Sequence, residues 1–167
     1  MNRISCMVFD VDGVLTDGGI TITDAGDEIK TFNSRDGHGI KLLLRAGIQV
    51  AIITGRSSRV VEHRARELGI QYVIQGSKDK KEALLDLAER LGIEPSNMAY
   101  MGDDVVDLPA MALCGLSFAP ADALEVVKER SDVVTAREGG KGAAREAAEI
   151  LLKRMGLYEQ VMERYGV

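Results

Sequence analysis

Asp10 and Asp12 stand one residue apart in "FDVDGVLTDG", directly after the apolar run "ISCMVF". Extended backbone repeats every two residues, so both carboxylates leave the same face of a strand. Gly13 then permits a sharp turn. Two carboxylates at one spot can serve as nucleophile and as general acid/base. Left alone they repel, by roughly 4 kcal/mol at about 4 Å and an effective dielectric near 20. A divalent cation offsets this, and all-oxygen donors suit Mg2+, with Asp103 or Asp104 of "GDD" completing its site. A DxDG string also occurs in solvated turns, but an acidic pair at the end of a buried strand argues for chemistry.

Other residues could handle a phosphate. Thr54-Gly55-Arg56 closes the run "VAII" and precedes a helix, whose start offers free N–H groups. The same threonine could instead only cap that helix. Lys78, Lys80 and Lys81 crowd "SKDKKEA", and spacing does not choose among them. Asp107 lies one helical turn past Asp103, placed either to orient a metal-bound water or to cap a helix. Arg56, Val60 and Arg64 form one row, but Arg64 is about 12 Å further along the axis. It therefore reaches a distal substrate group or a neighbouring subunit, unless it is an ordinary surface arginine. His38, in a glycine-rich loop, is placed to touch substrate, and His63 belongs on a helix surface.

These groups need a scaffold that gathers them. The runs at 4–10, "IQVAIITG", "QYVIQG", "NMAYMGDD", "GLSFA" and "DVVTA" read as strands covered on both faces. Between them, amphipathic stretches predict helices from near Asp36 to Gly47, over 57–68, 79–91, 105–114, 122–129, 141–153 and 157–165. Strict alternation implies an α/β sandwich of three layers with a mostly parallel sheet. Ligands in such sheets bind outside the carboxyl ends of the strands, and Asp10, Asp12, Thr54, Lys80 and Asp103 all fall there. "GITITDAGDEIKTF" breaks the pattern and reads as an inserted β-hairpin at 19–32.

The 167 residues fit one domain, and no internal repeat divides them. A net charge of −5 argues against nucleic acid or an anionic membrane as partner. No run is long enough to span a bilayer, and residues 1–8 are too short for a signal peptide. Cys6 and Cys114 lack zinc or CxxC spacing and read as small buried hydrophobes. The expectation is a cytoplasmic protein.

Four segments in this order, DxDGV at 10–14, T-G-R at 54–56, a lysine after "QG" and GDD at 102–104, resemble the haloacid dehalogenase (HAD) superfamily. Nearly the whole chain, including "FNSRDGHGI" and "GGKGAAREAAEILL", is similar to its 3-deoxy-D-manno-octulosonate 8-phosphate (KDO 8-phosphate) phosphatase family. The resemblance implies a Rossmann-like fold without a separate cap domain, a Mg2+-dependent phosphatase, and a homotetramer whose hairpins assemble while neighbours help close each site. It implies Asp10 as nucleophile, Asp12 as general acid/base, and Asp10, Asp12 and Asp103 around the metal, Asp12 through its backbone carbonyl. Thr54, Gly55 and Lys80 would hold the phosphate. Asn33, Ser34, Arg35, Asp36 and Gly37, with Arg56 and Arg64, would contact the sugar. Arg56 favours the eight-carbon substrate over nine-carbon, sialic acid type phosphates. Two other readings compete. A receiver-like phospho-aspartate switch also combines acids, a hydroxyl and a lysine, but carries its phosphorylated aspartate after a later strand. A catalytically dead scaffold conflicts with the complete residue set.

Overall fold

The computed structural model describes residues 3–167. Six strands form one sheet: β1 (Cys6–Phe9), β4 (Gln49–Ile53), β5 (Tyr72–Ile74), β6 (Met98–Met101), β7 (Leu116–Ala119) and β8 (Val133–Val134). Their order is β5-β4-β1-β6-β7-β8, and each neighbouring pair is parallel. Helices cover both faces: α1 (Ser34–Arg45), α2 (Arg59–Leu68) and α6 (Ala143–Arg154) on one, α3 (Lys80–Leu91), α4 (Leu108–Met111) and α5 (Glu125–Lys128) on the other. The chain closes with α7 (Tyr158–Met162) and a turn of 3-10 helix.

This layering explains why the strands are apolar without interruption. In β1, Met7 and Phe9 face a core with Leu42 and Leu43 of α1 and Ala144 and Leu151 of α6. Cys6 and Val8 face the opposite core, with Leu84 and Leu87 of α3. The four β1 side chains are fully buried, each large one worth about 1.5–3 kcal/mol of burial. Cys6 and Cys114 are free thiols, buried and half-buried respectively.

From β1 the chain builds outward to β4 and β5, then returns to β6 on the other side of β1. That reversal opens a crevice at the carboxyl end of β1. The central strand therefore delivers Asp10 and Asp12 to the switch point of the sheet.

Several elements are shorter than their sequence patterns predict. The 19–32 hairpin pairs only β2 (Thr21–Ile22) with β3 (Glu28–Ile29), antiparallel. The helix expected over 105–114 is only α4, because residues 103–107 wrap around the Asp107 carboxylate. The one expected over 122–129 starts at Glu125, after a turn in which Leu124 donates its N–H to the Asp103 carbonyl. Conversely, α1 starts two residues before Asp36, since Asn33 accepts hydrogen bonds from the N–H groups of Arg35 (2.8 Å) and Asp36 (3.3 Å). Among the described residues, no helix is long and apolar enough to cross a membrane.

Candidate active site

Asp10 directly follows β1, and its N–H donates to Met101 of β6. Its Oδ1 accepts from the Val11 N–H at 2.7 Å, and its Oδ2 lies 2.7 Å from Lys80 Nζ. Lys80 is the first residue of α3 and is only 5% exposed. Its ammonium is shared with Asp107 Oδ1 at 2.6 Å. The burial decides among the three lysines: Lys81 points outward, and Lys78 is an exposed residue of the cavity wall.

Asp107 is fully buried and saturated with donors. Tyr100 Oη donates to its Oδ1 at 3.0 Å, and the N–H groups of Asp103 and Asp104 donate to its Oδ2 at 3.1 and 3.2 Å. It does not cap α4. Its bonds run backward and hold the loop carrying Asp103. Asp10, Asp103 and Asp107 each bring an oxygen within 4.8 Å of the others. Asp104 is outside this group, and its Oδ1 accepts from the Val105 N–H at 2.6 Å.

Three carboxylates thus crowd beside one ammonium, which pairs directly with Asp10 and Asp107. Burial, followed by the Asp107 charge, raises the Asp10 pKa to about 6. Burial, with Asp10 and Asp107 beside it, raises that of Asp103 to about 7. Burial alone would lower the Lys80 pKa, but Asp10 and Asp107 hold it above the usual lysine value. Asp103 Oδ1 is buried with no hydrogen-bond partner. A buried acceptor without a donor is costly unless something absent from the protein atoms satisfies it. Clustered carboxylate oxygens with one such atom fit a hard divalent cation.

The Asp12 carboxylate points elsewhere. Its Oδ1 lies 2.5 Å from Lys30 Nζ and its Oδ2 3.9 Å from Arg56 Nε. It lies outside the close group of Asp10, Asp103 and Asp107. Lys30, with a side chain 1% exposed, also binds Glu28 at 2.7 Å. Glu28 and Lys30 were not among the sequence candidates. The signal was the period of two in "DEIKTF": both face the site while Ile29 faces outward, 52% exposed.

Asp10, Asp12, Thr54, Gly55, Arg56, Lys78, Lys80 and Asp103 line one cavity of about 390 Å³. Thr54 does not cap α2: that helix begins at Arg59, and Ser58 accepts from the Val60 N–H. Thr54 and Gly55 therefore belong to the loop after β4, and the expected helix start lies further on.

Apart from Arg56, the expected sugar contacts do not line this cavity. Asn33 caps α1, and its carbonyl accepts from Arg64 at 3.4 Å, while the Arg64 guanidinium covers the Phe32 ring. Ser34 and Arg35 open on a separate 500 Å³ cavity between α1 and α6, and Gly37 with Arg64 on a smaller one. Asp36 is 2% exposed and faces α6, accepting from the N–H groups of Gly142 (3.3 Å) and Arg145 (2.9 Å). In this chain its carboxylate ties α1 to the start of α6 and does not line the cavity that holds Asp10. His38 lies within α1 rather than in a loop, between Tyr165 and Arg145, and does not line the carboxylate cavity. His63 is exposed on α2, as expected.

The pattern of haloacid dehalogenase-like hydrolases matches residues 36–115. The KDO 8-phosphate phosphatase KdsC of Escherichia coli K12 is 47% identical over 158 residues, 95% of this chain and 84% of that protein. The chain belongs to the KDO 8-phosphate phosphatase family of HAD-like hydrolases. Two solved phosphatases of that name share its fold. The Moraxella catarrhalis protein, in complex with magnesium, phosphate and KDO, superposes with a TM-score of 0.94 at 42% identity, covering 97% of this chain and 93% of that one. The cobalt-bound Haemophilus influenzae protein gives 0.90 at 46%, covering 93% and 91%.

For a KDO 8-phosphate phosphatase family member, carboxylate crowding makes a stability prediction. The folded state retains a proton on Asp103 between the ordinary carboxylate pKa and about 7 that the unfolded chain releases. Its contribution is therefore most favourable at acid pH and is lost as pH rises through 7. Asp103→Asn should raise the metal-free melting temperature at pH 8 by roughly 3–6 °C, corresponding to about 1–2 kcal/mol after discounting for partial solvent access. The gain should vanish near pH 4, and Mg2+ should no longer stabilise the variant. A melting series against pH and Mg2+ checks this; an unchanged Mg2+ response would remove Asp103 from the metal site.

Proposed function

We propose that the protein is a Mg2+-dependent phosphatase that hydrolyses KDO 8-phosphate to KDO and phosphate through an aspartyl-phosphate intermediate. The observation that carries the reading is the convergence of Asp10 and the unpartnered Asp103 oxygen beside Lys80, in a chain 47% identical to KdsC. Asp10, Asp103 and the Asp12 carbonyl would hold Mg2+, which would supply positive charge against the transferring phosphoryl group.

Asp10 Oδ attacks phosphorus in line with the sugar oxygen. As the O–P bond to the sugar breaks, Asp12 gives the departing alkoxide a proton. Asp12 then takes a proton from water, which attacks the phosphorus of the acyl phosphate and releases Asp10 and inorganic phosphate. Lys80 and the Thr54–Gly55 loop bind the non-bridging oxygens, and Asp107 keeps Lys80 and the Asp103 loop in place. Stabilisation here is positioning and electrostatics rather than further covalent chemistry. Lys30 and Arg56 hold the Asp12 carboxyl at the cavity mouth, and Arg56, half-exposed there, has a planar fork for the sugar carboxylate.

Beyond the Arg56 contact, the remaining sugar groups would be met by a second copy. The hairpin turns Glu28 and Lys30 toward the site and leaves Ile20, Ile22 and Ile29 about half exposed, an apolar face suited to another hairpin. Homotetramer assembly would place Asn33, Ser34, Arg35, Gly37 and Arg64 of one subunit against a neighbour's cavity. The free thiols and the sugar-phosphate substrate fit a cytoplasmic enzyme.

One experiment tests substrate and assembly together. Eight-carbon 8-phosphate and nine-carbon 9-phosphate keto-deoxy sugars are compared with Mg2+ under the conditions used for sedimentation. The expected result is a tenfold or greater preference in kcat/KM for KDO 8-phosphate, about 1.4 kcal/mol in the transition state, on a sedimenting tetramer. Preference for the nine-carbon sugar would reverse the substrate assignment, and a fully active monomer would reverse the assembly.

A further inference from the structure

The segment "GGKG", Gly139 to Gly142, lies far from Asp10 in sequence but backs directly onto the turn that follows it. A Cβ on Gly139 would fall 1.9 Å from the Gly13 carbonyl oxygen. Gly140, at φ +68°, would put one 2.5 Å from the backbone of Thr16 and Asp17. Both obstacles are main chain and cannot rotate away. Gly140 also donates its N–H to the Val14 carbonyl at 3.0 Å, so the two segments lie backbone against backbone.

The far side of the same turn is equally tight. A Cβ on Gly13 would fall 2.0 Å from Asp103 Oδ2. The turn 13–17 is therefore held between the glycine pair and Asp103. The pair is anchored from behind. The Gly139 N–H donates to Asp122 Oδ1 at 2.8 Å, and the Ala121 N–H to the Arg137 carbonyl at 3.0 Å. On the other flank, buried Asp36 accepts from the N–H groups of Gly142 and Arg145.

We infer that Gly139 and Gly140 are positioning residues that fix the turn after Asp10 and, through Gly13, the placement of Asp103 relative to Asp10, with Asp36 holding the start of α6 against them. None of the three lines the cavity that holds Asp10 and Asp103. This rests on Asp10 and Asp103 being nucleophile and metal ligand. A methyl group at residue 139 forces the Gly13 carbonyl back by roughly 1.5 Å to reach ordinary contact. A displacement of about 1 Å in a catalytic constellation can cost on the order of 100-fold.

If the glycines only allow close packing, Gly139→Ala costs stability and nothing else. The test therefore reads two quantities that packing alone does not move. One is the Mg2+ concentration giving half of the maximal rise in melting temperature, without substrate. The other is kcat against KM for KDO 8-phosphate at saturating Mg2+. Expected for Gly139→Ala are a fivefold or larger rise in half-saturating Mg2+ and a kcat lowered about 100-fold, with KM within threefold. A folded variant with both quantities within twofold of the unmodified protein overturns the inference. Should Gly139→Ala fail to fold, Asp36→Asn supplies the same reading. It keeps the shape but weakens the hold on α6, and at least threefold changes in both quantities are expected; changes within twofold overturn the inference. Absence of any Mg2+ response in the unmodified protein would instead overturn the metal assignment on which the inference stands.

Discussion

Replacing Asp10 by Asn is expected to lower kcat by about 10⁴-fold or more while leaving the fold intact. The amide keeps the size of the carboxylate, and its oxygen can still accept from the Val11 N–H. It cannot act as an anionic nucleophile toward phosphorus. Structural damage should be slight, because Lys80 keeps Asp107 as a partner at 2.6 Å. The charge balance even improves without metal. Burial and Asp107 raise the Asp10 pKa to about 6, so the folded protein holds a proton there that the unfolded chain releases. Asp10 is thus least favourable to stability above pH 6, and the variant should melt no lower than the unmodified protein at pH 8. Circular dichroism and steady-state release of phosphate check both halves. Hydrolysis at the unmodified rate would exclude Asp10 as the nucleophile.

Asp12→Asn separates acid catalysis from metal binding. The Asp12 carboxylate contacts Lys30 and Arg56, not the Asp10–Asp103 pair. Its loss should leave the Mg2+-induced rise in melting temperature with a half-saturation within about threefold, since the backbone carbonyl remains. Turnover of the sugar phosphate should fall by about 10²- to 10⁴-fold, the usual contribution of a placed acid or base. An aryl phosphate offers a sharper contrast. Its phenolate departs without a proton, so phosphorylation of Asp10 should continue in the variant. Hydrolysis of the acyl phosphate still needs a base. Rapid mixing should therefore show a burst of about one phenolate per site followed by slow release. Equal losses for sugar and aryl phosphates, with no burst, would move the general acid elsewhere.

The two residues were legible because of where they stand. A continuous apolar run must be a strand covered on both faces, and a parallel sheet gathers the carboxyl ends of its strands. Asp10, Thr54 and Asp103 each end such a run. Lys80 was different. "SKDKKEA" contains three equivalent charges, and only the start of α3 at residue 80, with Asp79 accepting from the N–H groups of Lys81 and Glu82, aims one of them inward. The hairpin was recognisable from its alternation, yet the same alternation did not say which face meets the site. Its charged face does, against the ordinary expectation that apolar residues face inward.

Asp36 and Asp107 show the limit more sharply. Both are aspartates near glycines or other acids, and nothing local distinguishes them from substrate or metal contacts. Asp36 is committed to the N–H groups of residues 142 and 145, over 100 positions later in the chain. Asp107 is committed to Lys80 from α3 and Tyr100 from β6. The layered fold, the carboxyl-end site and its acid–hydroxyl–cation chemistry can be read from the order of residues, because periodicity and strand ends are local properties of a chain. Which lysine is buried, which aspartate keeps a free oxygen, and which turn the glycine pair supports emerge only from the folded packing. Those choices depend on desolvation and close approach between segments distant in sequence, and neither quantity exists until the chain has folded.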